Sequence, residues 1–155
     1  MRRNYVVASS VLVLAVALVG CDKEVKPGKP GVFVVTGETL TQWQPVAMQE
    51  EFTPEGFLVS FFYEDPTIVF KARESHMVFF GDYKPYAMRQ YVKSEGRWVE
   101  DSSAPVGKDV FEVGQMKGEK EMFKGKVVKE MKPGVYVLDV QRGTGKQESF
   151  AFRVP

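Results

Sequence analysis

The stretch KPGVYVLDVQRGTGKQESFAFRV, residues 132–154, decides the fold. Lys132-Pro133-Gly134 is turn chemistry, a ring that fixes φ followed by a residue free of Cβ. From Val135 to Gln141 the chain then alternates with the two-residue period of a strand, which turns Tyr136, Leu138 and Val140 inward. Arg142-Gly143-Thr144-Gly145-Lys146 makes a hairpin loop, and Phe150, Phe152 and Val154 alternate again to the end.

The same signals recur upstream. Gly31 to Gly37 is β-branched and aromatic between glycines, a first strand. Leu40 to Trp43 and Pro45 to Met48 form a weaker extended region. Thr53-Pro54-Glu55-Gly56 is a turn, and Phe57 to Glu64 is a strand with Phe57, Val59, Phe61 and Tyr63 on one face. After the turn Asp65-Pro66-Thr67, Ile68 to Ala72 is expected to run back beside it. Met77 to Phe80 is apolar at four consecutive positions, which predicts a central strand covered on both sides. Gly81 to Pro85 is expected to be a loop. Tyr86 to Lys93 and Arg97 to Asp101 should pair around Ser94-Glu95-Gly96. A Ser/Pro/Gly loop over 101–108 leads to a short strand, Val110 to Val113. Glu119 to Lys132 fits two templates: Val127 and Val128 favour a strand, and Gly125 weakens the helix alternative by roughly 1 kcal/mol relative to Ala.

Short strands at this spacing predict an all-β antiparallel β-sandwich over residues 31–155. The entry Pro133-Gly134-Val135-Tyr136 into a penultimate strand, with a closing strand after it, resembles the last hairpin of immunoglobulin-like and fibronectin-like modules. That resemblance implies that the Tyr136 hydroxyl bonds back to the preceding corner.

The start of the chain carries an address. Arg2 and Arg3 precede an apolar run, Val6 to Val19, too short for a comfortable membrane span. It ends in Leu18-Val19-Gly20-Cys21, which resembles the lipobox of bacterial lipoproteins. The resemblance implies a signal peptide over residues 1–20, removal of that segment before Cys21, and lipidation of the Cys21 sulfur, which ties the chain to a membrane. In enteric-type bacteria an Asp after the cysteine resembles the signal for inner-membrane retention, and Asp22 stands there. Ala15-Val16-Ala17 also fits an ordinary cleavage site, which would leave Cys21 a free thiol. Residues 21–30, charged and with two prolines, read as a flexible tether of roughly 30 Å maximum reach.

Composition closes several classes of function. Cys21 is the only cysteine, so the exported domain has no internal disulfide and no thiol for catalysis once the sulfur is acylated. Without residues 1–20 the net charge is about −1, which does not suit a nucleic-acid binder. His76 is the only histidine, so a His-rich metal site is impossible and a hydrolytic triad would need Ser75 or another serine beside it. Gly143-Thr144-Gly145-Lys146 lacks P-loop spacing, and Gln147 follows where Ser or Thr is needed. The six lysines of 117–132, mixed with acids, read as a solvated face. The sequence therefore predicts a non-enzymatic protein with no cofactor and no metal.

Binding is the remaining function. Tyr83, Lys84 and Tyr86 flank Pro85, and aromatics beside a stiffened loop suit a sugar or a protein partner. Trp43 is either an exposed stacking platform or a lid on the core, and Trp98 is expected in the core. The expectation is a lipid-anchored cell-envelope protein that serves as an interaction or accessory module for a protein partner, with carbohydrate or peptidoglycan binding as the alternative.

Overall fold

The computed structural model describes residues 24–155. Residues 1–23, which include the expected signal peptide, Cys21 and Asp22, lie outside the described residues. Strands run over Gly31–Thr36 (β1), Thr39–Gln42 (β2), Gln49–Phe52 (β3), Leu58–Phe62 (β4), Ile68–Val69 (β5) and Ser75–Phe80 (β6). The second half of the chain holds Tyr83–Ser94 (β7), Arg97–Glu100 (β8), Phe111–Gln115 (β9), Met122–Val127 (β10), Gly134–Arg142 (β11) and Lys146–Val154 (β12). One 3₁₀ turn, Lys108–Val110, is the only helical piece among the described residues. No helix there is long and apolar enough to cross a membrane.

The strands form two sheets packed as a β-sandwich. The smaller sheet has the order β2-β1-β6-β10-β9, and the larger one β3-β4-β8-β7-β11-β12-β5. Within them, β1-β6-β10-β9 and β8-β7-β11-β12 follow the A-B-E-D and C′-C-F-G orders of an immunoglobulin sandwich. β2, β3, β4 and β5 stand between the first and second strands of that order. The Tyr136 hydroxyl donates to the Lys132 carbonyl at 2.8 Å, the corner bond that the last hairpin leads one to expect.

Between the sheets lies one core, built from Val32, Val34, Met77 and Phe79 on one side and Tyr136, Leu138, Phe150 and Phe152 on the other. Trp43 is part of it: its ring lies 5.4 Å from that of Phe150, and its Nε1–H donates to the Ala151 carbonyl at 3.0 Å. Of the two readings of Trp43, the structure therefore holds the core lid and not the stacking platform.

A second core lies on the outer face of the larger sheet. Phe62, Tyr91, Trp98, Val135, Val137 and Ala151 meet there beneath Val46 and Met48. Chain geometry explains this. The Val46 N–H donates to Ser149 of β12 at 2.8 Å, and Gln49, three residues on, already pairs with Phe61 of β4. Three residues span about 10 Å at most, whereas five strand spacings of a flat sheet would separate β12 from β3 by about 24 Å. The larger sheet must therefore curl, and the Val46 bridge nearly closes it around its own apolar filling.

Several expectations need correction. Residues 24–30 are not a free tether: Val25 packs on the outer face of the smaller sheet beside Phe33, Val35 and Val78, and Pro27 is buried. Ile68 to Ala72 does not run back along β4. Only Ile68–Val69 is strand, and it lies parallel to β12, because turns at 72–74 end the run. Tyr83 to Pro85 is strand and not loop, since the pairing of β11 with β7 continues to Arg142 opposite Tyr83. β3 went unforeseen, because all four of its residues are exposed and carry no apolar alternation.

Met77 to Phe80 is a central strand between β1 and β10, as its apolar run predicts. Residues 122–127 are the strand β10, and Gly125 has a packing reason. A Cβ there would stand 2.9 Å from Phe79 Cε2 and still closer to the Phe111 ring. The glycine is the seat of the Phe111 ring on the neighbouring strand. Gly125→Ala should therefore cost about 1–3 kcal/mol through overpacking, read as a lowered urea midpoint with an unchanged m-value.

Candidate interaction site

Three places on the molecule carry chemistry that core packing alone does not require. The first is the start of β7, where Tyr83, Lys84 and Tyr86 lie. The register of β7 against β11 shifts between Asp139 and Val140: Ala87 faces Asp139, Pro85 faces Val140, and Tyr86 is left without a partner residue. Such a bulge re-aims a side chain. Tyr86 is accordingly 55% exposed, and partial burial and then the nearby Asp139 push its phenol pKa up. Tyr83 goes the other way: its ring packs on the inter-sheet core, with the Arg142 guanidinium 5.4 Å from its centroid. Lys84 is exposed and lies 3.4 Å from Asp82. The strand thus brings the three residues together but turns only one of the two tyrosines outward.

Two hollows of about 530 and 350 Å³ meet beside them at Pro85 and Val113. Tyr83, Lys84 and Phe123 line the first, and Tyr86, Met88 and Phe111 the second. β8 pairs only with Tyr91–Ser94, so β7 has an open backbone edge along this groove. Pro85, which lacks an N–H, and the bulge at Tyr86 blunt that edge against another strand.

The second place is a polar row across the curled sheet. Ser149 Oγ donates to Asp139 Oδ1 at 2.6 Å, Arg89 Nε donates to Asp139 Oδ2 at 2.9 Å, and Arg89 Nη1 reaches Glu100 Oε2 at 2.7 Å. Asp139 is 1% exposed. Burial opposes the charge of Arg89, but the facing Asp139 and Glu100 outweigh it, and the guanidinium pKa is raised. The Tyr91 hydroxyl beside this row is buried without a partner among the described residues, and burial pushes its pKa up. The row runs diagonally across β12, β11, β7 and β8: Ser149 faces Asp139, but Arg89 faces Val137 and Glu100 faces Tyr91, so each further step reaches a diagonal neighbour and ties the strands together.

The third place is the β3–β4 hairpin. Phe52 opposes Leu58 across it, and Phe57 follows the 53–56 turn. They are 74%, 54% and 70% exposed, and Phe52 and Phe57 are the two most exposed large apolar side chains among the described residues. Sequence reading missed it, although adjacent apolar residues after a turn signal both faces of a strand mouth at once, and only one face can pack.

The remaining candidates resolve into structure. Trp98 is in the second core, with Nε1 donating to Asp65 at 2.9 Å. Ser75 and His76 are adjacent on β6 and so point to opposite faces. Ser75 Oγ bonds Thr36 Oγ1 at 2.8 Å and the Lys71 N–H at 3.1 Å. The His76 Nε2, on the outer face, lies buried without a partner among the described residues. No Ser–His pair is assembled there. Among the described residues no group of three His, Cys, Asp or Glu side chains gathers at metal-binding distance.

No family model, curated protein or solved structure matches the chain.

Two outcomes follow from this geometry. Arg89→Met leaves Asp139 buried and unpaired, and should cost about 3–5 kcal/mol; adding Asp139→Leu should restore most of that loss, measured as a double-mutant cycle in urea. Burial, helped by Lys124 and Lys126 and opposed by Glu24, lowers the His76 pKa below its ordinary 6.5. The unfolded chain therefore takes up the proton first as pH falls below about 6.5, and stability must drop there. His76→Gln should flatten the unfolding midpoint between pH 7 and pH 5.5.

Proposed function

We propose that this protein is a non-enzymatic interaction module of a bacterial cell envelope, held at the membrane by lipid on Cys21 and engaging a protein partner through the β3–β4 hairpin. The observation that carries the reading is the cluster Phe52, Phe57 and Leu58, left in solvent at a Pro54-stiffened turn. Burying a Phe or Leu side chain contributes about 1.5–3 kcal/mol, so three such residues on one projection are an apolar anchor for a protein pocket. The lipobox resemblance supplies the anchor, and Asp22 favours the inner membrane where the enteric sorting rule applies.

Carbohydrate or peptidoglycan binding is the second reading. It is supported by Tyr86, re-aimed outward by the bulge beside the two hollows. The half-buried Tyr83 and the buried Trp43 leave it a single stacking ring in place of a platform.

The test is photo-crosslinking of the intact lipoprotein from position 57 in membranes. A discrete adduct that disappears in Phe52→Ser/Leu58→Ser, with unchanged far-ultraviolet circular dichroism, is the expected result. Recovery of only the uncrosslinked monomer would sink the hairpin reading. Glycan retention that is lost in Tyr86→Ala and kept in the hairpin variant would move the function to β7. Cys21→Ser should release the chain from the membrane fraction.

A further inference from the structure

We propose that the sandwich is held against the bilayer on a leash of two residues, with the outer face of its smaller sheet turned to the lipid headgroups. This rests on the lipid-anchor reading of Cys21.

The argument starts from the segment expected to be a free tether. Glu24 Oε1 lies 2.9 Å from Lys124 Nζ on β10, and Lys26 Nζ lies 2.8 Å from Glu119. The Lys124 ammonium holds the Glu24 carboxyl below the usual carboxylate range. Between these ion pairs, Val25 packs with Phe33, Val35 and Val78, and Pro27 is buried. Two charge pairs with apolar contacts between them fix residues 24–27 to the middle of the sheet. Only Asp22 and Lys23 then separate the acylated residue from a fixed point on the fold. Three Cα steps reach about 11 Å, little more than the headgroup layer, which is roughly 5–8 Å deep on each side.

A free ten-residue tether would let every face of the domain visit the bilayer. A two-residue leash rooted on the outer face of the smaller sheet brings that face nearest. Lys126, two residues along β10 from Lys124 and on the same face, is exposed and can donate to lipid phosphates. The outer face of the larger sheet lies a full sandwich thickness further out, since packed sheets stand about 10 Å apart before side chains are counted.

The experiment uses the uniqueness of Cys21. Once that sulfur is acylated, an introduced cysteine is the sole free thiol. Lys126→Cys and Gln147→Cys place one fluorophore on each outer face of the full lipidated chain, in vesicles of phosphatidylethanolamine and phosphatidylglycerol carrying a nitroxide on the headgroup. Fluorescence should be lost at position 126 and retained at 147, and a flexible Gly/Ser insertion between Lys23 and Glu24 should make the two positions equal. Equal quenching without the insertion, or a difference that survives it, overturns the leash. Mass spectrometry of the mature N-terminus separates the two failures: a chain without acyl groups sinks the anchor reading itself, whereas an acylated chain with equal quenching sinks only the orientation.

Discussion

Strand β11 is buried on both of its faces, and the rest of the structure depends on that constraint. Tyr136, Leu138 and Val140 face the inter-sheet core, while Val135, Val137 and Asp139 face the inside of the curl. A strand with two apolar faces needs a cover on each. The smaller sheet covers one. The larger sheet covers the other by bending its far strands and the inserted segment 43–52 around it. The insertion between the first strand and the rest is therefore a structural part of the fold and not an appendage. Asp139 is the one charged residue on the doubly buried run, and it is tolerated because Ser149 and Arg89 satisfy its oxygens.

The strands that alternate cleanly were legible in the sequence. β12 and the β7–β8 hairpin follow from period-two patterns and from turn residues, as Glu95 and Gly96 show with their positive φ angles of 52° and 79°, and β6 follows from its continuous apolar run. The corner tyrosine was implied by the resemblance that Pro133-Gly134-Val135-Tyr136 carries. What escaped reading was the second face. Val135 and Val137 look like the outward positions of an alternating strand, yet both are buried. The signal was present, because Val135 to Leu138 is as continuously apolar as Met77 to Phe80, and the latter run was read correctly as doubly covered. β3 left no signal, since its residues are fixed by pairing and not by burial.

The candidate surfaces divide along the same line. Tyr83, Lys84 and Tyr86 were visible as an aromatic cluster, but no sequence pattern tells on which side of a bulge each ring will fall. The Arg89–Asp139–Glu100 row was invisible because its members are distant in the chain and meet only through strand register. Its residue types are those of a site, but its hydrogen bonds are nearly all made internally, and its effect is to tie four strands together along a diagonal.

The Val46 bridge has a consequence for how the molecule breathes. A long ladder joins β11 to both neighbours, whereas the curl is shut by one hydrogen bond to Ser149 and the contacts of Val46 and Met48. Native proteins open first along the seam with the fewest buried contacts. Here that seam runs beside Val46, so the segment 45–52 forms a low-energy opening unit separate from the sandwich proper. Its amides are expected to exchange with solvent ahead of those of β11. Each such opening bares the upper edge of β12 and the aromatic filling of the curl, the surface that a neighbouring copy could pair with, so this one bond also guards the chain against aggregation.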